Sequence, residues 1–168
     1  MVIIAYNESN NIGRCIDSVI GIANEVLVVD SFSTDDTPTI ARDKGARVIQ
    51  HTFEGHIQQK NWAKDQAAFD WVLSLDADES LSTELQEQLT LAIANGLTFG
   101  KVKGYTFSRL NHLAGQPIRG CGWYPDTKLR LWDRRCGCWS GRNPHDKFVL
   151  EKGYSLGSIS GDILHFTY

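Results

Sequence analysis

The chain has 168 residues, of which 42% are hydrophobic and 22% are charged. This composition supports a packed core, fits one domain over residues 1–168, and excludes a disordered tail or a fibre. The apolar runs are much shorter than the ~20 residues of a membrane-spanning helix, and no secretory signal pattern opens the chain, so we expect a cytoplasmic protein. The formal net charge of −3 argues against nucleic acid as a partner.

Charge is divided unevenly along the chain. Residues 1–100 contain 15 acidic and 6 basic side chains, whereas residues 101–168 contain 5 acidic and 11 basic ones. The split predicts two ligands held in two different fields, although chance gives the same pattern. Five basic residues of the second half predict a partner that carries phosphate or carboxylate: Lys128, Arg130, Arg134, Arg135 and Arg142.

The four cysteines are too few for a disulfide scaffold. Cys136 and Cys138 are separated by one residue, and Cys121 and His145 lie near them in sequence. Because this spacing matches no common structural zinc site, we expect free thiols.

Strand and helix signals alternate through the first hundred residues. Continuous apolar runs predict strands over 2–5, 26–29, 47–49 and 71–75. Apolar spacing and capping residues predict helices over 12–20, 37–45, 56–69 and 82–95. Beyond residue 100 the pattern becomes that of strands, over 105–110, 148–150 and 163–166.

Strands that are apolar throughout and separated by helices predict a parallel sheet covered on both faces. In such sheets ligands bind beyond the carboxyl ends of the strands. Asn7, Asp30 and the Asp76–Asp78 turn each follow a predicted strand. We therefore expect one binding site that all three segments border.

The Asp-Ala-Asp turn is the first candidate for chemistry. Asp76 and Asp78 can face one divalent cation, because Mg²⁺ and Mn²⁺ prefer oxygen ligands. A solvated turn is the simpler alternative. A phosphatase of the haloacid dehalogenase type also uses such a turn, but there it follows the first strand of the domain, and here three strand signals precede it.

Three further side chains have both a functional and a structural interpretation. Asp30 is placed to accept an N–H from a nucleobase, or to organise the loop that follows it. Asp146 lies beside His145 in the basic half, where a carboxylate serves as a general base or as an ordinary surface acid. His165 lies in an apolar strand, where a core histidine is the simpler interpretation.

Seven segments of the chain, taken together, resemble family 2 glycosyltransferases of the GT-A fold, an α/β, Rossmann-like fold with a mostly parallel central sheet. The first three are VIIAYNE at 2–8, VVDSFSTDDT at 28–37 and WVLSLDADE at 71–79. The others resemble the branch that includes lipopolysaccharide-core glucosyltransferases: QKNWA at 59–63, GWYPD at 122–126, LRLW at 129–132 and HDK at 145–147. The resemblance covers nearly the whole chain and is less specific for the sugar and the acceptor.

The resemblance implies a role for each matching residue. It implies that the nucleotide sugar is bound by Ala5, Tyr6, Glu8, Asp30, Lys60, Asp76 and Ala77. It implies that the metal ligands are Asp78, Asp76 and His165, with Asp78 as the main one. It implies that Asp146 is the catalytic base, and that the acceptor is bound by Trp123, Tyr124, Arg130 and His145.

The activity that follows is metal-dependent transfer of a hexose, with inversion, from a uridine-diphosphate sugar to a hydroxyl of a saccharide acceptor. The acceptor class is lipopolysaccharide core or another lipid-linked glycan, reached from the inner face of the membrane. Residues 1–100 would form the donor half and residues 101–168 a β-rich acceptor half. Such enzymes usually continue with several helices beyond the last strand, which leaves a non-catalytic or truncated sugar-nucleotide-binding module as the alternative.

Overall fold

A computed structural model of the protein describes residues 1–97, 100–143 and 145–167. The helices are α1 (Ile12–Asp17), α2 (Thr37–Asp43), α3 (His56–Gln66) and α4 (Thr83–Ala94). The first strands are β1 (Val2–Ala5), β2 (Leu27–Asp30), β3 (Arg47–Gln50), β4 (Trp71–Asp76) and β5 (Glu79–Leu81). The later strands are β6 (Val102–Leu113), β7 (Gln116–Pro117), β8 (Asp126–Asp133), β9 (Gly137–Arg142), β10 (His145–Leu150) and β11 (Ser155–Thr167).

The central sheet has the order β3-β2-β1-β4-β8-β6-β11-β5, and β7 pairs with β6. The strands β3, β2, β1 and β4 are parallel to one another. Beyond β4 the sheet is mixed, since β8 runs antiparallel to both neighbours, β6 and β11 are parallel, and β5 is antiparallel to β11. The predicted α/β fold is confirmed, and its parallel part is the segment that the continuous apolar runs predicted.

Alternate residues of the parallel strands enter two cores on opposite faces of the sheet. Ile3 and Val28 pack in a cluster with residues of α1 and α4, including Ile16 and Leu85. The other face holds a second cluster, which is built from Val2, Leu27, Val29, Ala63, Val72, Trp132, Trp139 and Phe148. Burial on both faces explains the continuous apolar runs of β1 and β2.

A separate hairpin, formed by β9 and β10, packs on the second core. Phe148 of β10 stacks on Trp132 of β8 with ring centroids 3.8 Å apart, and Trp139 of β9 meets both rings edge-on. Asn61 of α3 fixes the hairpin further, because its side-chain amide exchanges two 2.9 Å hydrogen bonds with the backbone of Trp139. Since Asp146 and Phe148 lie two residues apart on β10, this packing turns Asp146 toward the sheet.

Several predicted boundaries differ from the observed ones. The helix α1 ends at Asp17 and not at Ile20, and α3 ends at Gln66. The strands β5, β7, β8 and β9 were not predicted. In β5 and β8 the charged residues Glu79 and Arg130 interrupt the apolar pattern, and an ion pair between them satisfies both in the folded protein. The Ser82 cap of α4 is confirmed, since its hydroxyl accepts from the Leu85 amide at 3.2 Å.

The longest helix among the described residues, α4, has 12 residues. Within those residues, no helix has the length and apolar character needed to span a membrane. The cysteines are free thiols, two of them buried and two exposed.

Candidate active site

A pocket of about 610 Å³ opens beyond the carboxyl ends of β1 and β4. Its walls are Ile4, Ala5, Tyr6, Glu8, Ser31, Phe53, His56, Lys60, Asp76, Ala77, Asp78, Asp146 and His165. These residues are far apart in sequence, and the fold brings them together. The pocket therefore collects all but one of the residues predicted to bind a nucleotide sugar, together with the predicted metal ligands and the predicted base.

Asp76, the last residue of β4, is held by two buried cations. Its Oδ1 lies 3.0 Å from the Lys60 ammonium, and its Oδ2 lies 2.9 Å from the Arg130 guanidinium. Burial would raise the pKa of Asp76, but Arg130 and Lys60 outweigh burial and hold its pKa well below the ordinary value. Asp76 is thus a fixed anion at the floor of the pocket, and both of its oxygens are already engaged by cations.

Glu79 is a fully buried carboxylate that organises this floor, and sequence analysis missed it. Its Oε2 accepts the backbone N–H of Asp76 at 2.9 Å, and its Oε1 lies 2.8 Å from the Arg130 guanidinium. Burial raises the pKa of Glu79, and Arg130 opposes that rise. The Glu79 side chain therefore fixes the backbone of Asp76 directly, and it fixes the Asp76 carboxylate through Arg130. The available signal was that an acid directly follows the Asp-Ala-Asp turn.

Asp78 and His165 face each other across the pocket wall. The distance from Asp78 Oδ2 to His165 Nε2 is 3.2 Å, and both side chains are partly exposed to the cavity. Glu8 lies close by, and burial, followed by the charges of Asp78, Asp35 and Asp76, raises its pKa against the effect of a hydrogen bond from Asn11. This excess of acidic groups makes the local field attractive to a cation.

The pair formed by Asp78 and His165 is compatible with a divalent cation. Two neighbouring ligands of an octahedral ion with bonds of ~2.1 Å lie about 3 Å apart, close to the separation found here. Among the described residues, no group of three or more His, Cys, Asp or Glu side chains is arranged as a metal site. The protein thus offers two ligands at this place, and a cation there needs further oxygens from a ligand or from water.

Asp146 reaches the pocket from the hairpin and meets Lys60 there. Its Oδ2 lies 2.9 Å from the Lys60 ammonium, and its side chain is only 6% exposed. The same ammonium contacts Asp76 and lies 4.5 Å from the centre of the Trp139 ring. Lys60 therefore connects the predicted base, Asp146, to Asp76 at the floor of the pocket. Its positive charge compensates both carboxylates, which would be costly to bury without it.

Asp30 is the predicted nucleotide-binding residue that the structure does not bring to the pocket wall. It is fully buried, and its carboxylate accepts the Ser33 backbone N–H at 3.0 Å and the Ser33 hydroxyl. The Ser33 hydroxyl in turn accepts a hydrogen bond from the backbone N–H of Asn7 at 2.9 Å. In this geometry Asp30 organises the loop after β2 and joins it to the loop after β1.

The residues predicted to bind the acceptor lie outside the pocket wall. Arg130 is 5% exposed and its guanidinium is occupied by Asp76 and Glu79, which corrects its placement from the acceptor side to the interior. Trp123 is half exposed, and Tyr124 donates its hydroxyl to Asp162 at 2.8 Å. His145 of β10 lies opposite Arg142 of β9 in the strand register of the hairpin. The acceptor roles of Trp123, Tyr124 and His145 stay predictions.

The basic cluster expected to meet an anion is also largely neutralised. Ion pairs join Lys128 to Asp126 at 3.0 Å, Arg134 to Asp70 at 3.9 Å, and Arg135 to Asp133 at 2.7 Å. Arg130 is buried, as described above, and Arg142 is exposed at the end of β9. Four of these five basic side chains are therefore engaged by acidic partners.

Four pocket residues were not among the predicted site residues. Ile4 lies in β1, Ser31 follows β2, Phe53 lies between β3 and α3, and His56 is the first residue of α3. Phe53 is 47% exposed, and its ring meets that of His56 edge-on at 5.1 Å. An exposed aromatic residue after the carboxyl end of a parallel strand was the signal that could have found Phe53.

The chain belongs to the family described as glycosyl transferase family 2, which matches residues 1–148. An uncharacterized glycosyltransferase of Rickettsia conorii is 50% identical over 80 residues, which are 48% of this chain and 28% of that protein. The lipopolysaccharide core biosynthesis glycosyltransferase LpsC of Rhizobium meliloti is 37% identical over 84 residues, which are 47% of this chain and 31% of that protein. These matched segments span less than a third of either relative.

The fold is that of GT-A enzymes, as predicted. Glucosyl-3-phosphoglycerate synthase from Mycobacterium tuberculosis, crystallised with Mg²⁺ and uridine diphosphate, superposes with a TM-score of 0.65 at 19% identity. The superposition covers 99% of this chain and 70% of the synthase. At this identity the likeness shows the fold alone.

Proposed function

We propose that the protein transfers a hexose from a uridine-diphosphate sugar to a hydroxyl of a saccharide acceptor, with inversion at the anomeric carbon. The observation that carries the proposal is that Asp78, His165, Lys60 and Asp146 line the same pocket. A pair of potential metal ligands and a carboxylate held by a lysine are the two groups that such a transfer requires.

The donor would lie along the carboxyl ends of β1 and β4. Ala5, Tyr6 and Phe53 give the pocket an apolar and aromatic wall, on which a base can stack. Glu8 and Ala77 would border the ribose and diphosphate, and Asp76 would act through Lys60, which it holds. Asp30 would shape the loop after β2 and would not contact the base directly.

Asp78 and His165 would hold Mg²⁺ or Mn²⁺ together with the diphosphate of the donor. The cation, when bound, neutralises charge on the diphosphate as the bond to the sugar breaks. Asp76 would not compete for it, because Lys60 and Arg130 already engage its oxygens. The excess of acidic side chains around Glu8 favours the cation over an unaccompanied diphosphate.

Asp146 would be the general base. Lys60 lies 2.9 Å from its Oδ2 and would hold the carboxylate in place, and Oδ1 would accept the proton of the acceptor hydroxyl. In one in-line step the acceptor oxygen bonds to the anomeric carbon, its proton passes to Asp146, and uridine diphosphate leaves with the electrons of the broken bond. The configuration inverts because attack and departure occur on opposite faces of the sugar.

The acceptor side is assigned to residues 101–168, which is the β-rich half, and the donor side to residues 1–100. The similarity to a lipopolysaccharide core glycosyltransferase favours a lipid-linked saccharide, used at the cytoplasmic face of the membrane. A non-catalytic sugar-nucleotide-binding module is the alternative.

Calorimetric titration with uridine- and guanosine-diphosphate sugars, with and without Mn²⁺, tests the donor site. We expect tight binding of one uridine-diphosphate sugar only with the metal, and loss of that metal dependence in Asp78→Ala. Asp36→Ala is the matched control, since Asp36 is an exposed aspartate at the start of α2 and outside the pocket wall.

Transfer to a panel of lipid-linked and free oligosaccharides, measured on the same samples, tests the reaction. Donor binding without transfer to any acceptor supports the module. Donor binding that ignores both the metal and Asp78 contradicts the proposed site.

A further inference from the structure

Asn111 is a buried polar residue that neither the family motifs nor the proposed reaction uses. It lies on β6, directly opposite His165 of β11, and it is 7% exposed. Its Oδ1 lies 2.7 Å from Nδ1 of His165. On the other side of the same ring, Nε2 lies 3.2 Å from Oδ2 of Asp78. Both ring nitrogens of His165 therefore face oxygen atoms.

This arrangement restricts where the neutral ring carries its proton. An amide oxygen only accepts hydrogen bonds, so the short contact with Asn111 is satisfied when Nδ1 carries the hydrogen. The lone pair of Nε2 then points toward the carboxylate of Asp78. Two acceptors that face each other at this distance repel unless a proton or a metal cation lies between them.

We propose that Asn111 is a positioning residue that fixes the Nδ1–H tautomer of His165 and presents Nε2 as a metal ligand. The inference rests on the proposed function, because the cation it serves is the one assigned there to Asp78 and His165. Histidine ligands in metal sites usually donate their second N–H to a nearby acceptor, which orients the ring and strengthens the ligand. Asn111 supplies that acceptor from the neighbouring strand.

The contact also explains why a polar residue is buried at this point. Leu110 and Phe107 of β6 are buried apolar residues, whereas Asn111 is buried as a polar residue and pairs with His165. A leucine of similar size would fill the space and leave Nδ1 without its acceptor. An aspartate would keep the acceptor oxygen in place.

The first measurement is the tautomer itself, which a merely structural role would not move. Nitrogen NMR of the metal-free protein, labelled at histidine and held at a pH where the ring is neutral, should show hydrogen on Nδ1 of His165. In Asn111→Leu we expect a mixture of tautomers, and in Asn111→Asp the parental form. Hydrogen on Nε2 in the parent overturns the inference, whether or not any variant folds.

The second measurement is Mn²⁺ affinity in the presence of saturating uridine diphosphate. Asn111→Leu should weaken Mn²⁺ binding by about 10- to 100-fold, the usual effect of losing such a partner, and Asn111→Asp should restore most of it. Thr106→Val is the matched control, since Thr106 joins the same two strands through a 3.3 Å hydrogen bond to Gly157. It should bind Mn²⁺ like the parent.

The outcomes separate the two claims. If the parent binds no Mn²⁺ with uridine diphosphate, the metal assignment of the proposed function fails, and the metal role of Asn111 fails with it. If the parent binds Mn²⁺ and Asn111→Leu binds it equally well, the proposed function stands and the inference about Asn111 is wrong. An equal loss in Thr106→Val shows a general effect of the strand pair and also overturns the inference.

Discussion

Charged residues in the pocket wall and directly behind it form ion pairs with one another. Lys60 contacts both Asp76 and Asp146, and Arg130 contacts both Asp76 and Glu79. Removing one member of such a buried pair leaves the other uncompensated, which is costly. Substitutions that keep the shape of a side chain therefore report on chemistry better than truncations do.

Asp146→Asn is the residue-scale test of the base. The amide keeps the size of the side chain and cannot take the acceptor proton, so turnover should fall by about 10²–10⁴. Donor affinity should stay near that of the parent, because Asp146 is assigned no donor contact and Lys60 keeps its ion pair with Asp76. Steady-state transfer at saturating donor, with calorimetry of donor binding, measures both quantities.

His145→Ala is the matched control for Asp146→Asn. The neighbouring side chain is exposed on the hairpin and lies outside the pocket wall, so we expect a much smaller loss. Near-normal turnover in Asp146→Asn removes it as the base and directs the search to Asp126, which pairs with Arg109 at 2.7 Å.

The strands and loops that carry the pocket residues determine whether these residues meet. The loops after β1 and β2 are joined by Asp35, whose carboxylate accepts from Ser9 at 3.1 Å and from the Thr37 backbone at 3.0 Å. Slight desolvation would raise the pKa of Asp35, but hydrogen bonds from Thr37 and Ser9 lower it to about 2 from the ordinary 3.8. The two loops that border the donor pocket are therefore joined through an ionised carboxylate.

The Asp35 contact predicts a pH dependence of stability. A carboxyl group whose pKa is lower in the folded state stabilises the protein above its unfolded pKa, and that stability is lost as the pH falls toward the folded pKa. The unfolding free energy of the parent should exceed that of Asp35→Asn at pH 5–7, and the difference should shrink from about pH 4 toward pH 2. Urea unfolding at a series of pH values measures it. A difference that is constant with pH contradicts the prediction.

The β9–β10 hairpin carries Asp146, and its packing predicts a combined loss of stability and activity. Phe148→Ala removes the ring stacked on Trp132 and should cost about 3–5 kcal/mol in unfolding free energy. Turnover of the folded protein should fall as well, since Asp146 lies on the same strand. Denaturant unfolding and transfer assays in dilute buffer measure the two effects.

Val149→Ala is the control for the hairpin. Val149 is on the same strand but is 42% exposed, so its truncation should change stability by less than about 0.5 kcal/mol. Equal losses in the two variants would mean that the hairpin is not anchored through its inner face.

At the scale of the whole molecule, the two halves differ in charge, and the difference predicts a salt effect. Most of the basic cluster named in the sequence is paired or buried, so the field of residues 101–168, and not one contact surface, would attract an anionic acceptor. The KM for a phosphorylated saccharide should rise between about 50 and about 500 mM salt, where exposed charges become screened.

A neutral saccharide of the same length is the control for the salt effect, and its KM should change little. Donor affinity, measured with the metal present, should also be nearly constant. An equal response of the two acceptors would show that charge does not guide acceptor binding.

The sequence by itself determined the family, the parallel part of the sheet and the pocket edge at which the polar segments meet. These depend on local patterns: apolar runs for buried strands, and motifs such as the Asp76–Asp78 turn directly after β4. The carboxyl ends of parallel strands share one edge, so Asn7, Asp30 and the Asp76–Asp78 turn were expected to border one site. Asp76 and Asp78 line the pocket at that edge, whereas Asn7 and Asp30 lie outside its wall.

Only the tertiary structure decided which partner each polar side chain has. Glu79 and Arg130 are 51 residues apart, and Lys60 and Asp146 are 86 apart, so no local pattern links them. Arg130 was expected at the acceptor, but strand register places it under Asp76. Asp30 was expected at the base, but a nearby serine engages it. Charged residues have many possible partners in sequence, and the packing of β8, β11 and the hairpin selects one of them because a buried charge must be compensated.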